Sequence, residues 1–214
     1  MVTTYLGYNV LFFRSLEVRY NEVLLYLKQF DVSTAFLHAE LNETVYMQQP
    51  EGYSDGSSRV CKLLRSLYGL KQAPRCWNKR IEIFLIQQGF KVSSADPCLY
   101  IRTKDRKKLL LALYVDDGLL AATDTQDLEC FINQLEAEFE VTVKEASYFL
   151  GIEIEKQSDG IIKISQPACA KRILTRFSFE NCKAVSTPMM TSTENDSAEF
   201  LLTAVFLTDK QLEL

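Results

Sequence analysis

Three aspartates are the side chains of this chain best suited to metal-dependent chemistry. Asp116 and Asp117 are adjacent and lie between two short apolar runs, at residues 109–113 and 118–122. Such runs around a tight polar link are typical of two antiparallel strands joined by a turn, and Asp117-Gly118 suits that turn because glycine relieves backbone strain. Adjacent buried carboxylates repel each other and destabilise the fold unless a positive group lies between them. A divalent metal ion would offset that repulsion.

The third aspartate, Asp31, follows another apolar segment, at residues 23–27. An acid at the end of one strand and two acids at a neighbouring hairpin turn can converge on one point. Three carboxylates that hold two metal ions are a known arrangement for in-line phosphoryl transfer. The alternative for an isolated Asp-Asp-Gly sequence is an ordinary acidic turn on the surface. The third acid favours the metal site.

A series of segments, in order along the chain, is far more specific than the turn alone. They are residues 31–37 (DVSTAFL), 45–53, 67–75 (LYGLKQAPR), 96–100, 114–117 (YVDD), 149–154 and 186–189. Together they resemble the reverse transcriptase of copia-type LTR retrotransposons. The resemblance runs continuously from about residue 25 to about residue 190.

The resemblance implies an RNA-directed DNA polymerase that catalyses nucleotidyl transfer with two divalent ions. It implies Asp31 and Asp116 as bridging metal ligands, Asp117 as a weaker ligand nearby, and the Val32 carbonyl as a backbone ligand. Because all these ligands are oxygens, the ions expected are Mg²⁺ or Mn²⁺. The implied partners are an RNA or DNA template-primer, deoxynucleoside triphosphates and the remaining domains of a polyprotein.

The resemblance also assigns residues to the nucleotide and the primer. Phe36 stands where the family has an aromatic ring that stacks under the sugar and excludes a 2′-hydroxyl; the alternative is a core aromatic. The residues implied to back the incoming base pair or bind the nucleotide are Tyr68, Gly69, Lys71 and Gln72. The residues implied to contact primer or template are Tyr114, Gly151 and Arg75. For Tyr114 the alternative is packing at a strand end, and for Lys71 and Arg75 it is a position that faces water.

Hydrophobic periodicity predicts an α+β fold with a helix-backed antiparallel sheet. The resemblance identifies that sheet as a polymerase palm, with partial fingers and the start of a thumb. Strands are predicted at residues 24–31, 45–47, 60–64, 98–102, 108–115, 119–123, 148–156 and 161–165. Helices are predicted from Pro74 to Gly89, from an N-cap at Asp127 to Phe139, and over residues 167–177.

The resemblance divides the chain into four parts. Residues 1–24 are an unmatched segment that replaces fingers, 25–165 the palm with part of the fingers, 166–190 the start of the thumb, and 191–214 a divergent tail. The chain is therefore expected to be a truncated polymerase, active or inactive. The alternative is a non-catalytic nucleic-acid-binding remnant of a retrotransposon polyprotein. A third class, a palm-like enzyme such as a nucleotidyl cyclase, is disfavoured by residues 67–75 and by Phe36.

Composition adds limits to these functions. The net charge of −4 argues mildly against tight standalone binding to nucleic acid, although basic residues cluster within 62–80, 102–108 and 171–176. Six scattered cysteines indicate reduced thiols, and a single histidine, His38, gives a zinc site almost no support. No apolar run approaches the roughly 20 residues that span a bilayer. We therefore expect an intracellular protein, cytoplasmic or nuclear, that is neither secreted nor bound to a membrane.

Overall fold

The computed structural model describes residues 25–158 and 161–183. The strands in this part of the chain are β1 (Tyr26–Val32), β2 (Tyr46–Met47), β3 (Cys61–Lys62), β4 (Lys91–Val92), β5 (Leu99–Lys104), β6 (Lys107–Tyr114), β7 (Asp117–Ala122), β8 (Val141–Glu145), β9 (Tyr148–Phe149), β10 (Ile152–Lys156) and β11 (Ile162–Ser165). The helices are α1 (Ala73–Gln87), α2 (Thr125–Glu138) and α3 (Pro167–Arg176), with a 3-10 helix at Ala35–His38.

The largest element is a six-stranded sheet with the order β4-β5-β6-β7-β1-β8, in which every neighbouring pair is antiparallel. β1 lies between β7 and β8, so its hydrogen bonds are made on both edges. A three-stranded sheet has the order β11-β10-β9, and β2 pairs with β3. The predicted α+β class with an antiparallel sheet and helices is confirmed.

The two faces of the large sheet are covered by different layers, because side chains alternate along a strand. One face packs against α1 and α2. The core between them contains Phe30, Leu111 and Leu120 from the sheet and Trp77 and Phe131 from the helices. The other face packs against the three-stranded sheet. The core between the two sheets contains Leu27, Leu110 and Leu119 from the large sheet and Phe149 and Ile154 from the small one. Among the described residues, helices therefore back the sheet on one side, and the three-stranded sheet covers the other.

Local sequence explains the helices. Pro74 lies in the first turn of α1, where a missing N–H leaves no bond unmade. The face of α1 that packs on the sheet consists of Ala73, Trp77, Ile81, Phe84 and Leu85. Ile86, which helical spacing also favours for the apolar face, is 53% exposed and lies outside it.

Several predicted boundaries are wrong in instructive ways. The N-cap of α2 is Asp124, whose side chain accepts from the backbone N–H of Asp127. The strand predicted at 148–156 is two strands, because Leu150 and Gly151 turn with positive φ of 48° and 87°. The strands β4 and β8 were missed; β8 alternates half-buried valines with exposed polar residues at the edge of the sheet.

All six cysteines are free thiols. Within residues 25–158 and 161–183, no helix has the length and apolar character needed to cross a membrane. The predicted N-terminal segment 1–24 and the divergent tail 191–214 lie outside the described residues, as do residues 184–190 of the predicted thumb.

Candidate active site

A row of four side chains crosses the large sheet at the end where β1, β6 and β7 meet. The Cα partners are Tyr114 with Asp117, Asp117 with Asp31, and Asp31 with Thr142. Directly opposed residues on neighbouring strands project to the same face. That face is the one opposite the helices, since Phe30 and Val32 belong to the helix-side core. Asp31 is exposed there and Asp117 is half-buried.

The turn that carries Asp116 is held through two successive backbone carbonyls. The carbonyl of Asp116 accepts from the N–H of Val32 at 2.9 Å. The carbonyl of Val115 accepts from the indole Nε1 of Trp77 at 2.6 Å. Val115 has a φ of 55°, a conformation that is rare for a β-branched residue. Asp116 is therefore fixed beside β1, next to the residue that follows Asp31.

The loop of this hairpin is Val115-Asp116, not the predicted Asp117-Gly118. Asp117 and Gly118 are already paired within the sheet, with Tyr114 and Leu113. Gly118 serves a different purpose, because a Cβ at this position would lie 2.1 Å from the ring of Phe30. The ring of Phe30 is fully buried. Glycine here leaves room for the Phe30 ring to lie across β7, next to the pair formed by Asp31 and Asp117.

The electrostatics of Asp117 follow from its partial burial and from the two neighbouring aspartates. Burial and the negative charges of Asp31 and Asp116 raise the pKa of Asp117. Lys144 on β8 and a hydrogen bond from Gln29 act in the opposite direction. Gln29 is 4% exposed, and its Oε1 has no hydrogen-bond partner within the described part of the chain. The site therefore combines negative charge that Lys144 offsets only in part with a buried oxygen that accepts no hydrogen bond from the described residues.

Oxygen donors of this kind suit a hard divalent cation. Among the described residues, no three His, Cys, Asp or Glu side chains lie close enough to hold a metal ion by themselves. Mg²⁺ is commonly bound through one or two carboxylates together with substrate phosphates, and it does not need a complete protein cage. The donor set therefore fits an ion whose remaining ligands come from a substrate.

A second cluster lies at the 3-10 helix that follows Asp31. The rings of Phe36 and Tyr68 are in contact, with centroids 4.6 Å apart and planes inclined by 52°. The hydroxyl of Ser66 donates to the carbonyl of Phe36, and its N–H donates to the carbonyl of Ala39 at 2.9 Å. The segment before α1 is thus bonded to the segment after β1.

Comparison with known proteins gives the same result as the motifs. Residues 9–191 match the family described as reverse transcriptase (RNA-dependent DNA polymerase). This chain belongs to that family. The match begins within the segment 1–24 that the motifs left unassigned.

Known relatives of this reverse transcriptase domain are transposon proteins. It is 38% identical over 170 residues to the retrovirus-related Pol polyprotein from transposon TNT 1-94 of Nicotiana tabacum, which covers 77% of this chain and 13% of that protein. It is 37% identical over 169 residues to the corresponding polyprotein from transposon RE2 of Arabidopsis thaliana, covering 78% of this chain and 12% of that protein. A putative transposon Ty5-1 protein of Saccharomyces cerevisiae is 30% identical over 165 residues, 76% of this chain and 54% of its own length.

The other residues implied for a reverse transcriptase occupy three different places. The first place is the start of α1. Gly69, with a φ of 92°, and Lys71, which is exposed, lie just before this helix. Gln72 is the N-cap of α1, and Arg75 is exposed in its first turn. Tyr114 is part of the aspartate row. Gly151 lies in the β9–β10 turn, where its carbonyl accepts from the Gln166 side chain at 3.2 Å.

The sequence analysis missed two residues that support the aspartates, Gln29 and Trp77. Gln29 could have been found, because a polar residue two positions before Asp31 lies on the same face of a strand. The bond from Trp77 joins residues 38 positions apart, and no local pattern signals it.

Proposed function

We propose that this chain is the polymerase domain of a retrotransposon reverse transcriptase and that Asp31, Asp116 and Asp117 form its catalytic site. The observation that supports this most strongly is the direct pairing of Asp31 with Asp117 across β1 and β7. The backbone carbonyl of Asp116 accepts from the N–H of Val32, and the charges of Asp31 and Asp116 act on Asp117, which supports a site that the three aspartates share. An isolated acidic turn would not need a third acid opposite it.

The role of the aspartates is to hold Mg²⁺ or Mn²⁺ together with the phosphates of a nucleotide. Two such ions would make a primer 3′-hydroxyl more acidic and offset the charge that develops on pyrophosphate. Asp31 and Asp116 would be the principal ligands, Asp117 would ligate less strongly, and the Val32 carbonyl would be a backbone ligand. The raised pKa of Asp117 and the unpartnered oxygen of Gln29 support a cation here, since both are relieved by positive charge.

The substrates in this proposal are deoxynucleoside triphosphates and an RNA or DNA template-primer. Phe36 stacks under the sugar, and its contact with Tyr68 supports this role because the contact limits the positions of both rings. Gly69, Lys71 and Gln72 contact the nucleotide or the base pair. Tyr114, Gly151 and Arg75 contact primer or template.

The domain boundaries in this proposal follow the motifs. Residues 25–165 form the palm with part of the fingers, and residues from 166 onward begin the thumb. The large sheet with helices on one face and acids on the other supports a palm. Because the domain spans 13% of the tobacco relative, other polyprotein domains are proposed partners.

The proposal is tested by primer extension on an RNA template with Mg²⁺ or Mn²⁺. Wild-type protein should incorporate deoxynucleotides, and Asp116→Asn should abolish incorporation. The matched control is Asp105→Asn, which removes the same charge from an exposed residue in the turn at the opposite end of β6. Asp105→Asn should retain wild-type activity.

Two results would count against the polymerase. Incorporation that persists in Asp116→Asn would remove the aspartates from the mechanism. A folded wild-type protein that incorporates nothing, yet binds RNA in a salt-sensitive way, would favour the non-catalytic nucleic-acid-binding remnant. The exposed basic residues of α1 and the segment before it would then explain the binding.

A further inference from the structure

Trp77 connects the helix layer to the aspartate turn. It is the only tryptophan of the chain, it is 1% exposed on α1, and its indole N–H donates to the carbonyl of Val115. We propose that Trp77 is a positioning residue whose hydrogen bond holds the Val115-Asp116 turn so that Asp116 and Asp117 face Asp31. This inference rests on the proposed function, because it explains how the same metal site is kept in shape.

The turn needs such a bond because its conformation is not the one its sequence favours. Val115 has a positive φ, which sterically suits glycine, asparagine or aspartate and is an outlier for a β-branched residue. Such conformations persist only when the surroundings over-determine them. Val115 is 37% exposed, so packing of its own side chain constrains it weakly. The bonds to the carbonyls of residues 115 and 116 are therefore the main constraints that the structure supplies.

The donor is well fixed. The ring of Trp77 meets the ring of Phe139 edge-on, with centroids 5.4 Å apart, and lies 6.2 Å from the ring of His38. Phe139 in turn packs against Phe84 at 5.2 Å. A side chain held on several sides can keep its N–H aimed at a single carbonyl, which a solvent-exposed donor could not.

The inference is tested by measuring Mn²⁺ affinity with electron paramagnetic resonance, in the presence of a chain-terminated template-primer and the matching deoxynucleoside triphosphate, whose phosphates supply the remaining ligands of the ion. Trp77→Phe removes the N–H and keeps a buried ring, and replacement of Trp77 by the isosteric benzothienylalanine removes the N–H alone. Each should weaken Mn²⁺ binding by about 10–100-fold, as is typical when a partner that orients a metal ligand is lost. If Trp77→Phe does not fold, the Mn²⁺ affinity of the benzothienylalanine variant tests the inference instead.

The decisive comparison adds Val115→Gly. Glycine adopts a positive φ without strain, so the turn should depend less on the indole bond. The loss of affinity caused by Trp77→Phe should therefore be markedly smaller in the Val115→Gly background. A role of Trp77 in packing alone would give the same loss in both backgrounds. Leu85→Ala, at a buried residue of the same helix outside the rings that surround Trp77, is the control for lost stability, and it should leave Mn²⁺ affinity unchanged.

The possible outcomes separate this inference from the proposed function. Wild-type Mn²⁺ binding that both Trp77 variants retain overturns this inference alone. An equal loss of affinity in Leu85→Ala, or no smaller loss from Trp77→Phe in the Val115→Gly background, also overturns it. Wild-type protein that binds no Mn²⁺ overturns the proposed function and this inference with it.

Discussion

Asp31 and Asp117 are direct partners across two antiparallel strands, and their side chains project from the same face of the sheet. Like charges in this relationship destabilise a strand pair. Burial and the neighbouring charges of Asp31 and Asp116 raise the pKa of Asp117 accordingly. A neutral residue in place of one aspartate should therefore make this end of the sheet more stable. Two effects on stability are expected here, one from this repulsion and one from the packing of the neighbouring Gly118.

The first concerns Asp117→Asn. Because the folded-state pKa of Asp117 is raised, protonation stabilises the fold, and this contribution is lost as pH rises through that pKa. At neutral pH, Asp117→Asn should therefore raise the Tm, by about 1–3 °C given the partial exposure of the group. Below the ordinary carboxyl pKa of 3.8 the gain should vanish.

Circular dichroism melts of both proteins across this pH range check the effect. Asp105→Asn is the control, and it should show no such pH-dependent gain because Asp105 is exposed and lies away from the row. Equal melting temperatures of Asp117→Asn and wild type at neutral pH would mean that the carboxylates do not repel each other.

The second effect concerns Gly118. A Cβ at this position would lie 2.1 Å from the buried ring of Phe30, so Gly118→Ala should destabilise the protein by about 1–3 kcal/mol through overpacking. Phe30→Leu should recover part of this loss in the double variant, since it removes the atoms that clash. Urea unfolding of the four proteins gives the coupling free energy. Additive effects of the two substitutions would show that β7 does not depend on this contact.

A third prediction concerns the choice of sugar. Phe36→Val should lower the preference for deoxynucleotides over ribonucleotides by about 10–200-fold, since it removes the ring proposed to exclude the 2′-hydroxyl. The ratio of kcat/KM for the two nucleotides measures this, and it is independent of any general loss of activity. Tyr68→Ala keeps the Phe36 ring and should change the ratio less. An unchanged ratio in Phe36→Val would make Phe36 a core aromatic.

The elements that carry the aspartates could be predicted because their signals are local. β1, β6 and β7 are apolar runs that end at acids, and α1 begins at a proline and shows helical spacing from Trp77 to Leu85. The α+β class follows from these runs. The motifs led to the reverse transcriptase family, which the comparisons confirm.

The details of the site could not be predicted because they depend on contacts between distant residues. Asp117-Gly118 is a strong turn signal, yet Gly118 is required by Phe30, which is far away in sequence. Val115 would not be chosen for a turn position with positive φ, and the indole that bonds it lies in another element. Local pattern thus locates the acids, whereas tertiary packing determines how they face each other.

The central claim is that the aspartates bind a shared divalent cation, and a double-mutant cycle of Mn²⁺ affinity tests it most directly. Asp31→Asn and Asp116→Asn should each weaken binding by at least about tenfold, and the double variant should lose less than the product of the two because both ligate one ion. Asp105→Asn should bind as wild type does. If Asp31→Asn binds Mn²⁺ as tightly as Asp105→Asn, or if the two losses simply multiply, the aspartates do not share an ion.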